Sequence, residues 1–188
     1  ATDLPPGNAG VHDPLYARAL VLDDGEGRAV LVSLDLCVVP NELARALRAR
    51  IAEHLQVDPD RVILSTTHTH SGPFPMTRQM AVARGRMETE QSVPPPEVAY
   101  ADDLETAVLE ACARAGGLTF PVELRVQEAP LGLAYNRRVM TGEGVRHAWG
   151  PQEYPDLAPS VAPDPTCSVV VLVQRGGPRR YVIWSIGA

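Results

Sequence analysis

Short apolar runs bounded by charged and glycine residues open the chain: YARALVLD at 16–23 and RAVLVSLDL at 28–36. Both read as strands. DDGEG at 23–27 lies between them, with Gly25 and Gly27 expected to supply the backbone angles of a turn. The two runs predict a β-hairpin. From Pro40 and Asn41 the pattern changes. Leu43, Leu47, Ile51 and Leu55 fall four apart, one face of a helix that ends near Leu55, before Pro59. RVILSTTH at 61–68 is apolar and β-branched, and reads as a buried, central strand. Strand, helix and strand in this order predict a parallel pair with a right-handed crossover.

The stretch from Ser71 to Pro96 carries Gly72, Pro73, Pro75 and PPP at 94–96, and predicts a long loop with room for one short helix. Glu97 to Ala115 predicts a helix with Leu104, Val108, Ala111 and Cys112 on one face, ended by Gly116 and Gly117. TFPVELRVQEAP at 119–130 alternates apolar with polar residues, so it predicts a strand with one wet face. Residues 131–166 are rich in Pro, Gly and Asn and predict a second long loop. Cys167–Val173 and Arg180–Ile186 predict a closing hairpin around RGGP. The fold class is α/β: a mixed β-sheet flanked by helices, with long active-site loops, read as one domain over 1–188.

Composition narrows the function. Of 188 residues 45% are hydrophobic, which suits a globular chain. The net charge of -6 argues against nucleic acid and anionic membrane as partners. No apolar run reaches the ~20 residues of a membrane span. Cys37, Cys112 and Cys167 are far apart and odd in number, so they suggest buried thiols rather than disulfides, and a reducing compartment. The chain starts at Ala1 and stops within the apolar run YVIWSIGA, which predicts an N-terminal piece of something longer.

His68 and His70, in LSTTHTHSGP at 64–73, hold the clearest chemistry. In an extended segment residues i and i+2 share a side, so both imidazoles are expected to face one cavity at a strand's C-terminal end. Neutral imidazole binds zinc, but a complete site needs three or four ligands, and H-x-H alone equally suits surface loop residues. His12, His54 and His147 offer no matching spacing. His54 reads as exposed on its helix; His12 and His147 lie in segments able to approach the pair. Gly72 allows a backbone to approach a ligand closely.

THTHSGP at 67–73 resembles the signature of the neutral, non-lysosomal ceramidases. GVHDPLYARALVLDDGEGRAVLVSLDL at 10–36 and AYNRRV at 134–139 are similar to other segments of that family, in the expected order. The resemblance implies a zinc-dependent amide hydrolase that cleaves an N-acyl amide to fatty acid and amine, with zinc as cofactor and a lipid or small-molecule amide as substrate. It implies that His68 is a metal ligand, that His70 and Arg137 are catalytic, and that Ser71 and Gly72 line the substrate. The family's remaining ligands, a histidine, a glutamate and a tyrosine, are expected beyond Ala188. The pattern departs after SGP, where the family's further glycine is replaced by Phe74-Pro75, and the large members' lipid-facing insertions are absent. Compact bacterial relatives acting on another, non-lipid amide are therefore an alternative, as is a non-catalytic α/β binding module.

Other residues carry open readings. Asp35 could orient a ligand histidine or cap the helix that starts near Asn41. His12 aligns with a histidine of the family's early segment, beside the plainer reading of a loop histidine. Arg137, without the resemblance, reads as a loop arginine in a salt bridge. Ser71 lacks a G-x-S-x-G elbow and suits a turn. Nothing in the sequence near Cys37 argues for a reactive thiolate. Met76, Met80 and Met87 suit either an apolar substrate entrance or plain packing.

Overall fold

A computed structural model describes residues 11–133, 135–157 and 161–186. Gly10 and Ala134, the first residues of two of the segments quoted above, lie outside the described residues, as do Ala1 and Gly187–Ala188. The chain, read from its sequence as one α/β domain, divides into two compact units, Ala1–Thr119 and Phe120–Ala188.

The first unit is built on the predicted hairpin. Strand β1 (Ala17–Asp23) pairs antiparallel with β2 (Arg28–Leu34). Gly25 takes a positive φ of 88°, as the turn requires. Gly27 does not; its missing side chain instead leaves room for the guanidinium of Arg61. Asp23 and Asp24 accept the amides of Gly25, Glu26 and Gly27. Both carboxyls are held below their usual range, Asp23 chiefly by Arg28 and Asp24 by the turn's own amides.

Helix α1 (Asn41–Leu55) then returns the chain to β3 (Val62–Thr66), which lies parallel to β2 with Val30 beside Val62 and Leu34 beside Thr66. The sheet is mixed, in the order β1-β2-β3. β3 was expected at its centre; among the described residues it is an outer strand, and Ile63 is correspondingly 56% exposed.

Helix α3 (Pro96–Gly116) packs beside α1 and covers β1 and β2. The core forms between these layers. Val30, Val32 and Leu34 of β2 meet Leu43, Leu47 and Ile51 of α1 and Leu104, Val108 and Cys112 of α3. Each fully buried side chain of this kind is worth roughly 1.5–3 kcal/mol. Gly116 brings the end of α3 onto Leu55: a Cβ there would sit 2.9 Å from the Leu55 side chain.

The long loop after β3 is tied down. It contains α2 (Arg78–Ala83), capped by the Thr77 hydroxyl, which accepts from the Met80 amide. Met76, Ala81 and Met87 pack on Val98 of α3 as a second cluster, so plain packing accounts for these methionines. Arg86 binds Glu97 at 2.8 Å across the loop.

The second unit carries β4 (Val122–Pro130), β7 (Thr166–Gln174) and β8 (Arg180–Ile186) as an antiparallel sheet in the order β4-β7-β8, with β5 (Arg138–Thr141) and β6 (Gly144–His147) as a separate hairpin. The alternation in β4 predicted one wet face, yet Leu124 and Val126 are more than half exposed, like their polar neighbours. The β5–β6 hairpin falls where a loop was expected. Its turn, Gly142-Glu143, is visible in the sequence, but strands of four residues are too short for a periodicity to show.

Candidate metal centre

Parallel pairing decides where the site lies. β2 and β3 end side by side, with Leu34 opposite Thr66. The segments that follow, Asp35–Cys37 and Thr67–His70, therefore leave the sheet at the same edge, at the C-terminal ends of two parallel strands. The Thr67 amide donates to the Leu34 carbonyl at 3.0 Å, and the Thr66 hydroxyl to the Cys37 carbonyl at 3.3 Å.

His68 is held by the same carbonyl. Its Nδ1 lies 2.9 Å from the Cys37 oxygen. A carbonyl only accepts, so Nδ1 carries the proton and Nε2 keeps its lone pair free, the tautomer a metal-ligating histidine uses. His68 also has a φ of 60°. A non-glycine residue in the left-handed region is uncommon and collects at functional sites. That conformation replaces the extended segment assumed for H-x-H, yet the two rings still meet: the His68 and His70 centroids are 5.0 Å apart at 72°. Both imidazoles are exposed.

The third member is Cys37, half-buried, whose sulfur lies 3.9 Å from His68 Nδ1. One ligand atom from each of Cys37, His68 and His70 can be chosen so that all lie within 4.8 Å of one another. Nothing beside Cys37 in the sequence argues for a thiolate, because the imidazoles near it come from 31 residues along the chain and beyond. The usable signal was its position: it follows a strand parallel to the one that carries the histidines.

The other candidates are placed as follows. Ser71 is exposed, and its amide donates to the Thr69 hydroxyl at 3.2 Å, a turn contact. Gly72 packs against the hairpin: a Cβ would sit 3.1 Å from Leu15 Cδ1 and 3.5 Å from the Asp35 carbonyl. Asp35 neither caps α1, which has no side-chain cap, nor bonds to a histidine. It accepts from the Tyr16 amide and from Arg18, each at 3.0 Å, and so locks the start of β1 to the end of β2. Its charge, after burial, also helps raise the Tyr100 hydroxyl above its ordinary range. His12 is exposed and paired with the adjacent Asp13 at 2.9 Å. His54 is exposed in the last turn of α1, and His147 stacks edge-on against Trp149 at 5.1 Å.

Arg137 belongs to the second unit. Its guanidinium lies 5.3 Å above the Trp149 ring, and its carbonyl accepts the Ala148 amide at 2.7 Å. The cation–π contact takes the place of the salt bridge expected for a loop arginine. Asn136 closes the segment, accepting from the Arg138 amide and donating to the Val161 carbonyl.

Residues 3–92 match the family model described as neutral/alkaline non-lysosomal ceramidase, N-terminal. Neutral ceramidase A of Dictyostelium discoideum is 42% identical over 72 residues, covering 34% of this chain and 10% of the relative. A solved structure described as ceramidase complexed with C2 matches 86% of this chain and 24% of its own, with a TM-score of 0.55 and 22% identity, a likeness of fold. The chain thus spans a small part of the relatives it matches. Among the described residues no helix is long and apolar enough to cross a membrane.

Proposed function

We propose that this chain, whose residues 3–92 match the N-terminal part of the neutral/alkaline non-lysosomal ceramidases, serves zinc-dependent hydrolysis of an N-acyl amide to a fatty acid and an amine. The observation that carries this reading is the His68–His70 pair at the ends of two parallel strands, with His68 Nδ1 committed to the Cys37 carbonyl. The residues suit the metal: nitrogen and sulfur donors with a fixed imidazole tautomer are a zinc donor set. When bound, zinc supplies Lewis acidity, polarising the amide carbonyl and making water nucleophilic near neutral pH.

His68 would hold the ion through Nε2, the nitrogen its bond to the Cys37 carbonyl leaves free. His70, on the same edge, donates an N–H to the amide oxygen and stabilises the negative charge that develops there as water adds. Collapse would break the C–N bond, and the leaving amine would take the proton that the attacking water gives up. Ser71 and Gly72 follow His70 directly and border the substrate. Arg137's part rests on the resemblance of its Asn-Arg segment alone. A lipid amide is the substrate class that the matched relatives' names support.

The test is zinc per chain by elemental analysis, on the protein carried through to its natural stop codon, paired with fatty-acid release from N-acyl amides. One zinc, lost in His68→Ala together with hydrolysis, is expected. His70→Ala should keep the zinc while turnover falls by about 10²–10³, the usual cost of one oxyanion donor. Folded protein that takes up no zinc overturns the reading.

A further inference from the structure

We infer that Thr66 is a positioning residue of the candidate metal centre: its hydroxyl holds the Cys37 carbonyl where His68 Nδ1 meets it, and so helps decide which nitrogen His68 offers to a metal. The inference rests on the metal reading above. The resemblance at 67–73 begins one residue later and assigns Thr66 no role.

Three observations carry it. First, three successive residues clamp the end of β3 onto the segment that follows β2. The Thr66 hydroxyl donates to the Cys37 carbonyl at 3.3 Å, the Thr67 amide to the Leu34 carbonyl at 3.0 Å, and His68 Nδ1 to the Cys37 carbonyl at 2.9 Å. A carbonyl oxygen has two lone pairs, so Cys37 serves both of its donors at once. Second, that carbonyl is the acceptor that counts. The Cys37 sulfur stands 3.9 Å from the same nitrogen, a longer contact to a weaker acceptor. Third, His68 holds φ at 60°, a conformation that persists where its surroundings over-determine it. Among the described residues the hydrogen bonds of its ring both go to Cys37, so whatever fixes Cys37 fixes the ring.

The residue type suits the task. A β-branched side chain is stiff at χ1, so Thr66 presents its hydroxyl with little freedom to lose. It is half-buried, where water competes less for the carbonyl. Valine would suit the end of a strand equally well, so the hydroxyl is what distinguishes threonine here. Without it the carbonyl keeps one donor of two and is freer to turn toward water. His68 is then freer to carry its proton on Nε2, the nitrogen a metal needs bare. The hydroxyl bond is the longer of the two, so the effect is graded rather than all-or-none.

The test compares Thr66→Val with Thr66→Ser in the protein carried through to its natural stop codon. One readout is the neutral His68 tautomer in the metal-free protein, from imidazole nitrogen-15 shifts assigned against His68→Ala. The other is zinc affinity, by competition with a chelator. The unmutated protein and Thr66→Ser should both show the proton on Nδ1. Thr66→Val should move part of the population to Nε2–H and weaken zinc by about three- to tenfold, below the roughly 10–100-fold cost of losing a ligand's direct partner. Thr66→Ala takes its place if circular dichroism shows the valine variant unfolded. A folded variant that melts lower yet keeps both the tautomer and the zinc affinity overturns the inference, leaving Thr66 a strand residue and the metal reading intact. An Nε2–H tautomer in the unmutated protein overturns it too. Zinc taken up by no version overturns the metal reading and this inference with it.

Discussion

At the scale of single residues, the hairpin and the histidine loop are joined by an absent side chain. Gly72 has no Cβ because Leu15 Cδ1 would stand 3.1 Å from it. Leu15 is 39% exposed and can give way. Gly72→Ala should therefore cost about 1 kcal/mol, the low end of overpacking, and lower Tm by a few degrees in thermal melts. A loss of several kcal/mol would mean that the loop cannot shift at all. The histidines were legible in the sequence because seven consecutive residues, THTHSGP, carry them together. Cys37 was not, since strand register rather than spacing makes it their neighbour. Asp35 was misread for a related reason: its partners, Tyr16 and Arg18, sit across the hairpin rather than along the chain.

At the scale of elements, the helices were the most legible. Residues four apart in α1 predicted Leu43, Leu47, Ile51 and Leu55, and all are buried. The face predicted for α3 is buried as well, including Cys112. That cysteine gives the helix a pH dependence. Its pKa rises from 9.0 to about 11 on folding, through burial. The unfolded chain therefore loses this proton first. Stability is fully present below about pH 9 and falls as pH climbs toward 11, by on the order of 2–3 kcal/mol. Urea titrations across that range should show the loss, and Cys112→Ala should shrink it. Tyr100, raised in the same direction, supplies a part that the substitution leaves behind. Strands were less legible. A one-sided alternation in β4 says which residues differ, but not whether anything covers the apolar set. Likewise, β3 is as apolar as a central strand without having a neighbour on its far side among the described residues.

At the scale of the whole molecule, the likeness to ceramidases is concentrated in the residues 3–92 matched by the family model, the half that carries the hairpin, α1, β3 and both histidines. The second unit follows the fold likeness but contributes a different surface. Its outer strand β8 exposes Val182 at 58% and Trp184 at 63%, and among the described residues its backbone is paired on one side only, to β7. In colloidal terms, such an edge is a template on which a second molecule can add a strand. Two things oppose it: Arg179 and Arg180 at the strand's entrance, and the chain's net charge of -6, which makes like molecules repel. Both are electrostatic, and a Debye length of ~8 Å at physiological ionic strength shortens their reach. The protein should therefore be salted toward association. Light scattering should report an apparent mass that grows with salt, and Trp184→Lys should hold it constant.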